Sequence, residues 1–289
     1  MDLSIIIVNY KTFELTKNAI NSILSNNCNY DYEILVVDNN SGDGSLEKLE
    51  ETFCNEIKNQ KVTFIINESN KGFAHANNLA INSSSSRYVL LLNSDTILLD
   101  NTLNKCLNFI NAHNDVGALG CKVSLPNGEL DKACKRSFPN PINSFYRLFH
   151  IPYNNPNLNN YNLDNLDDDG IYEIDCLVGA FMLVKREVIN QVGCLDDDYF
   201  MYGEDIDWCY RIKKAGWKII YFGKTEIIHF KGSSSNKKSF KLIYAFYKSM
   251  YIFYKKHYTK QYSFGLNLLV YLGIAILFVF KLFLNLFRR

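Results

Sequence analysis

The chain has 289 residues, 47% of them apolar, with 31 Lys+Arg against 30 Asp+Glu and only five Pro. That length and apolar content exclude a disordered chain and a small disulfide scaffold, and suit one large catalytic domain or two small ones. The near-neutral total hides a split: residues 1–226 carry 20 basic and 30 acidic side chains, residues 227–289 eleven basic and none acidic.

From residue 3 to about 121, short β-branched runs alternate with helical patterns. Residues 3–8 (LSIIIV), 33–37 (EILVV), 62–66 (VTFII) and 87–92 (RYVLLL) are predicted strands, nearly continuous in apolar character as parallel strands covered on both faces must be. Helical spacing over 12–25, 45–53 and 73–83 fills the gaps, so the pattern is βαβ and the fold class α/β, with an open, mostly parallel sheet flanked by helices. Ligands of such sheets bind beyond the carboxyl ends of the strands. The residues there are Asn9-Tyr10-Lys11, Asp38 to Gly44, Asn67 to Gly72, and Asn93-Ser94-Asp95, all polar tips on one edge. No GxGxxG follows the first strand, which argues against a nicotinamide-binding domain.

Further along, 118–136 reads as a hairpin around Pro126-Asn127-Gly128, and 151–170, rich in Asn and Asp, as a long surface loop. A strand-like run covers 171–184, a helix opens near Gly203-Glu204-Asp205 and stops at Gly216, and strands return over 217–222 and 226–230. Residues 240–258 place Phe240, Ile243, Tyr247, Met250 and Tyr254 on one helical face and Lys241, Lys248 and Lys255 elsewhere. That profile fits a basic interfacial helix and equally a helix packed on the catalytic domain. Residues 264–280 carry no charge over about 26 Å of helix. If Lys281 snorkels, the apolar stretch reaches Phe287 and is long enough to span a bilayer. The eight cysteines show no C-x-x-C spacing, which points to free, mostly buried thiols in a reducing compartment rather than a zinc site. The start Met1-Asp2-Leu3-Ser4 has no basic region before its apolar run, so no signal peptide is expected.

The strings SIIIVNYKT, ILVVDNNSGDGS, NESNKGFAHANNLAI, YVLLLNSDTIL, LVGAFMLVKREV, FMYGEDIDWCYRIKKAGW and HFKGSS together resemble family-2 glycosyltransferases, nearest their rhamnosyltransferase-like branch. The resemblance runs from about residue 3 to 235 and implies a GT-A catalytic domain over 1–235, followed by membrane-associating helices over 236–289. It implies inverting transfer of a sugar from a nucleotide-diphosphate donor, with deoxythymidine-diphosphate rhamnose the first choice, to a glycan or lipid-linked glycan acceptor.

By matching position, Asp38 would bind the nucleotide, and Asn9, Tyr10 and Asn39 stand beside it. As a pure acceptor, a carboxylate selects a base edge or ribose hydroxyl that offers a donor. Lys71 and Gly72, at a helix N-terminus, suit the diphosphate, and Asn77 the sugar. Asn93-Ser94-Asp95 occupies the place of the family's DxD metal motif, with Asn93 for its first Asp. Asp95 is then the metal ligand and His229 the candidate second ligand, for Mn²⁺ or Mg²⁺. Asp205 matches the family's general base, with Glu204 beside it. Asp207 is open to a bland reading as a favourable charge in a helix's first turn. Two other readings stand beside this one. A sugar nucleotidyltransferase lacks its early phosphate loop here, and a degenerate sugar-binding protein is argued against by Asp95, Asp205 and His229. No nucleic-acid partner is expected. Nucleotide sugars are cytosolic, which puts the catalytic domain on the cytoplasmic side of the membrane.

Overall fold

The computed structural model describes residues 1–141, 143, 161–232 and 239–287. β1 (Leu3–Asn9) is buried along its whole length, as its apolar, β-branched sequence requires. α1 (Phe13–Leu24), β2 (Tyr32–Asp38), α2 (Ser45–Thr52), α3 (Cys54–Lys58), β3 (Val62–Ile66), α4 (Phe73–Ser83) and β4 (Tyr88–Asn93) follow in strand-helix alternation. The four strands pair in parallel in the order β3-β2-β1-β4, with Asn9 opposite Asp38 and Val8 opposite Asn93. The polar tips read from the sequence therefore end side by side.

The second half of the sheet is mixed. β5 (Thr96–Leu98) and α5 (Thr102–Ala112) lead to β6 (Val116–Ser124), and β7 (Ile171–Glu173) precedes β8 (Phe181–Lys185). β8 inserts antiparallel between β4 and β6, so the sheet is parallel only in part. α6 (Arg186–Val192) and α7 (Glu204–Lys214) come next, then β9 (Lys218–His229), which runs parallel to β6 and antiparallel to β5 and β7.

Three expectations change. The hairpin at 118–136 shrinks to a turn at Pro126-Asn127-Gly128, where the Glu129 carbonyl accepts from Leu125 and Ser124 bridges Leu130. Its return leg cannot continue as a strand because β8 and β9 already occupy both edges of β6; Asp131 instead caps a short 3₁₀ turn at Ala133. The run at 171–184 splits into β7 and β8, and its middle turns back to pair Cys176 with Arg136. The two strands expected at 217–230 are one, with a bulge that passes over Gly223-Lys224-Thr225. Within the expected loop at 151–170, residues 151–160 lie outside the described residues; in the rest, Lys135 is buried and donates to Asp168 at 2.6 Å.

One core holds both halves together, from Leu3 and Ile5 on β1 to Trp208 on α7 and Tyr221 on β9. The thiols are free; Cys106, Cys121, Cys134, Cys176 and Cys209 are buried in it, and burial pushes the Cys106, Cys121, Cys134 and Cys176 thiols up. α8 (Phe240–His257) and α9 (Phe264–Leu286) then leave the domain as an antiparallel pair. A smaller cluster of Phe253, Tyr254 and Tyr258 lies between them and α7, with Ile206 and Tyr210 packed against it. α9 is long and apolar enough to cross a membrane, with a mean hydropathy of 2.3 over its most apolar stretch and none of that stretch buried.

Candidate active site

At the end of β1, Asn9 is buried and fully engaged. Its Nδ2 donates to Asp38 Oδ1 at 2.7 Å, while its Oδ1 accepts from Thr12 at 3.1 Å and Thr16 at 2.9 Å. Asn9 therefore acts on Asp38 and the start of α1. The Ser41 hydroxyl and amide also donate to Asp38, at 2.6 and 3.0 Å, fixing the carboxylate at the mouth of the sheet. Tyr10, 40% exposed, is the side chain of this group that is free to cover a planar ring.

Asn39 ties this tip to the next. It donates to Asn70 at 3.2 Å and accepts from Asn67 at 2.7 Å, and Asn70 in turn accepts from the Gly72 amide at 3.1 Å. Gly72 has φ +110, and a Cβ there would stand 2.1 Å from the Phe200 carbonyl oxygen. The close approach expected at Gly72 is thus made by the protein's own backbone, sealed by Phe73 donating to that carbonyl at 2.8 Å. Lys71 projects into solvent beside this contact. Asn77 is buried and donates to the Phe73 carbonyl at 2.8 Å, so it braces the first turn of α4.

Beyond β4, the Asn93 amide donates to Ala180 at 3.1 Å, and Ser94 accepts from Thr12 at 3.4 Å. Asp95 Oδ1 and His229 Nε2 meet at 3.1 Å, because β5 pairs with the end of β9 and sets Thr96 opposite His229. The other ring nitrogen faces Asp131 at 3.4 Å. Burial works against a charged imidazole, but the two carboxylates outweigh it and hold His229 up at about 9. Asp131 also accepts from Lys231 at 2.6 Å; burial alone would raise its pKa, and these partners instead hold it far below the carboxylate range.

These residues suit a divalent ion. A histidine whose outer nitrogen is held by a carboxylate and whose inner nitrogen faces another oxygen ligand has the usual support of a metal-binding imidazole. Among the described residues no three His, Cys, Asp or Glu side chains form a ligand cluster. Asp95 and His229 thus supply a partial set, beside which Asn93 Nδ2 lies 3.5 Å from His229. Turning that amide over would offer its oxygen, and diphosphate oxygens would complete the shell.

α7 begins at Gly203, whose φ of +83 makes the sharp entry, and presents Glu204 and Asp205. Asp205 Oδ2 accepts from Arg136 at 2.7 Å and Oδ1 from the Ile206 amide at 2.8 Å. Gly179 lies beside Asp205 Cβ and adjoins the Phe73 ring. Because Ala180 next to it pairs with Asn93, Asp205 stands one residue away from the β4 tip. Glu204 is buried, with Oε2 lacking a hydrogen-bond partner; burial, then the Asp205 charge, pushes its carboxyl well above the usual range. Asp207 faces away from the site. It is fully buried and accepts from His257 at 2.7 Å, Lys256 at 2.8 Å and Arg211 at 2.8 Å.

The structure links Asp38 through Asn9, Thr12 and Ser94 to the β4 tip, where Asn93 lies beside His229 and Asp95; Asp205 lies by Gly179, whose neighbour Ala180 accepts from the Asn93 amide. Arg136 and Asp131 are the site residues that sequence reasoning missed. Each lies in an irregular segment without a motif, and the DxD-like position called only for a second ligand from elsewhere, a place that His229 already filled.

The glycosyl transferase family 2 profile matches residues 4–193. The chain is 27% identical over 233 residues to an N-acetylglucosaminyl-diphospho-decaprenol L-rhamnosyltransferase of Mycobacterium tuberculosis, covering 76% of this chain and 73% of that one. It is also 27% identical over 169 residues to the rhamnosyltransferase WbbL of Escherichia coli K12, covering 55% of this chain and 61% of that one. Among solved structures it resembles GalNAc-T7 with UDP, GalNAc and Mn²⁺ (TM-score 0.64, 14% identity, 88% of this chain and 48% of that one). It likewise resembles the mannosyltransferase PcManGT of Pyrobaculum calidifontis with GDP-Man and Mn²⁺ (TM-score 0.60, 15% identity, 88% of this chain and 64% of that one).

Proposed function

The chain belongs to glycosyl transferase family 2 and is a glycosyltransferase of GT-A type, and from that premise we propose that it is an inverting, metal-assisted rhamnosyltransferase acting on a lipid-linked glycan at a membrane. The observation that carries this reading is the junction at the end of β4. There Asp95 and His229 lie beside Asn93, and Asp205 lies by Gly179, whose neighbour Ala180 accepts from the Asn93 amide. A donor diphosphate on one side and an acceptor hydroxyl on the other would meet between them.

In this reading Asp38 accepts from the base or ribose of the nucleotide, Tyr10 covers the ring, and Lys71 at the head of α4 faces the diphosphate. Asn9, Asn39, Gly72 and Asn77 hold these groups in place. Asn93, Asp95 and His229 would hold a divalent ion; when bound, it supplies Lewis-acid stabilisation of the departing diphosphate. Asp205 takes the proton of the acceptor hydroxyl as that oxygen attacks the anomeric carbon. The bond to the donor phosphate breaks on the opposite face, the diphosphate leaves with the electron pair, and the configuration inverts. Arg136 orients Asp205, and Glu204 stays as a neutral neighbour that does not compete for the proton.

The test is Asp205→Asn. Transfer from a nucleotide-diphosphate sugar, followed as nucleotide-diphosphate release, is expected to fall by about 10²–10⁴ with nucleotide affinity retained. Transfer at the wild-type rate would remove Asp205 from the role of base. Release of pyrophosphate instead of a nucleoside diphosphate would point to nucleotidyl transfer.

A further inference from the structure

A cavity lies away from the polar strand tips, between α8 and the segment that leads into α7. It encloses about 290 Å³ and is lined mainly by apolar surface from Tyr199, Phe200, Tyr244 and Ile252, with Lys241 and Lys248 at its rim and Asp198 at one end. Its position ties it to the candidate active site. One wall, Phe200, is the residue whose carbonyl receives the Phe73 amide at the head of α4. Its floor, at Tyr199 and Ser249, closes on Gly203, whose added Cβ would stand 3.2 Å from Ser249 and 3.3 Å from Tyr199. The next two residues are Glu204 and Asp205.

Neither Lys241 nor Lys248 forms an ion pair among the described residues; the Lys241 ammonium rests 3.9 Å from the centre of the Phe200 ring. Lys256, on the same helix, is by contrast held by Asp196 and Asp207. Lys241 and Lys248 are seven residues apart, two turns of α8, and so share a face with their Cα atoms about 10 Å apart. Two flexible stems at that spacing can close on a compact polyanion. Apolar walls beneath a cationic rim call for a ligand with a strongly anionic head and a hydrocarbon chain. The exposed apolar helix α9 packs beside α8, so a hydrocarbon chain leaving the cavity has a lipid-facing surface to follow.

We propose that this cavity is the acceptor's lipid-end subsite, in which Lys241 and Lys248 bind the diphosphate of an isoprenoid-diphosphate-linked glycan and Phe200 and Tyr244 receive its first isoprene units. The proposal rests on the glycosyltransferase reading and extends it, since a ligand anchored here would carry its glycan towards Asp205. The same rim could meet phospholipid headgroups, and the experiment separates the two. A headgroup contact at the bilayer surface needs the lysines alone, whereas a lipid diphosphate seated in the cavity needs the lysines and the apolar walls together.

The test uses the full chain in detergent with farnesyl diphosphate as probe and no sugar donor, so that it reads independently of transfer. Farnesyl diphosphate is expected to bind about tenfold or more tighter than inorganic diphosphate or farnesol, as joint use of charge and hydrocarbon requires. Lys241→Ala/Lys248→Ala should weaken that binding about tenfold or more, and Lys241→Arg/Lys248→Arg should restore most of it. Both lysines are exposed, and an unchanged thermal unfolding midpoint verifies the fold. Binding of farnesyl diphosphate that is insensitive to the alanine pair would overturn the proposal. So would loss, in that variant, of sedimentation with phosphatidylglycerol vesicles without loss of farnesyl diphosphate binding, which would assign the lysines to headgroups. Failure of the glycosyltransferase reading would show separately, as absence of nucleotide-diphosphate release by the wild type.

Discussion

Asp207 shows how little a residue's sequence context says about its work. Three acids open α7, and any of them would stabilise the helix dipole. Only the backbone direction decides that Asp205 faces Gly179 while Asp207 turns inward to His257, Lys256 and Arg211. Burial would raise the Asp207 carboxyl, but these three donors outweigh it and hold it down at about 2. A carboxyl lowered on folding stabilises the folded state above its ordinary value of about 4, and that stabilisation is lost as pH falls towards about 2. Asp207→Asn removes the charge and leaves Lys256 and Arg211 facing a neutral amide beside His257. It should cost about 3 kcal/mol at neutral pH, as expected for breaking a buried ion pair, and flatten this acid limb. Denaturant unfolding of both proteins between pH 2 and 7 measures both effects; equal stability at pH 7 would show that Asp207 is not the fastener.

At the scale of elements, the sequence was most legible where one periodicity ran unbroken. β1 to β4 and the helices between them are continuous apolar strands and clean 3.6-residue patterns, and α4 (Phe73–Ser83) was read to the residue. Legibility failed where tertiary pairing decided the outcome. Nothing local marks β5, three residues long and pinned by β9, or tells β8 to run antiparallel between β4 and β6. The candidate site divides in the same way. Tips of parallel strands announce themselves, whereas Arg136 and Asp131 arrive on the irregular return from β6, where a basic or acidic residue reads as surface. Their placement has functional weight. Arg136 Nη2 bonds both the Leu177 carbonyl and Asp205, and its Nε is buried without a hydrogen-bond partner. Burial disfavours its charge, yet the Asp205 carboxylate keeps the guanidinium firmly protonated. If Arg136 orients the base, Arg136→Ala should lower kcat about tenfold or more and leave the KM for the nucleotide sugar nearly unchanged, with Arg136→Lys in between. A rise in donor KM at constant kcat would place Arg136 in donor binding instead.

Across the whole molecule, the charge split read from the sequence acquires a shape. The acidic portion makes the sheet and its polar edge, and the basic tail makes α8 and α9. α8 is packed against the domain on one face only. Ile243, Phe253 and Tyr254 are buried, while Phe240, Tyr244 and Phe246 are exposed. α8 is fastened to the catalytic domain at its C-terminal end through His257 and Lys256 on Asp207, and to α9 through the Tyr254 hydroxyl, which donates to Asn267 at 2.7 Å. Among the described residues α9 has no comparable polar attachment to the catalytic domain; its exposed apolar surface needs a lipid neighbour or another protein to cover it. The two helices should therefore separate in function when the chain is cut between them. Removing residues 262–289 should move the protein from the alkali-resistant membrane fraction to the soluble or salt-extractable one, with α8 still packed on α7. The freed Tyr254 hydroxyl loses only one hydrogen bond, worth about 1 kcal/mol, which a domain of this size should tolerate. Fractionation with carbonate and with high salt distinguishes the outcomes. Release by salt alone would mean that the basic face of α8 still holds the truncated protein electrostatically, whereas resistance to carbonate after truncation would show that α9 is not the segment that anchors the enzyme.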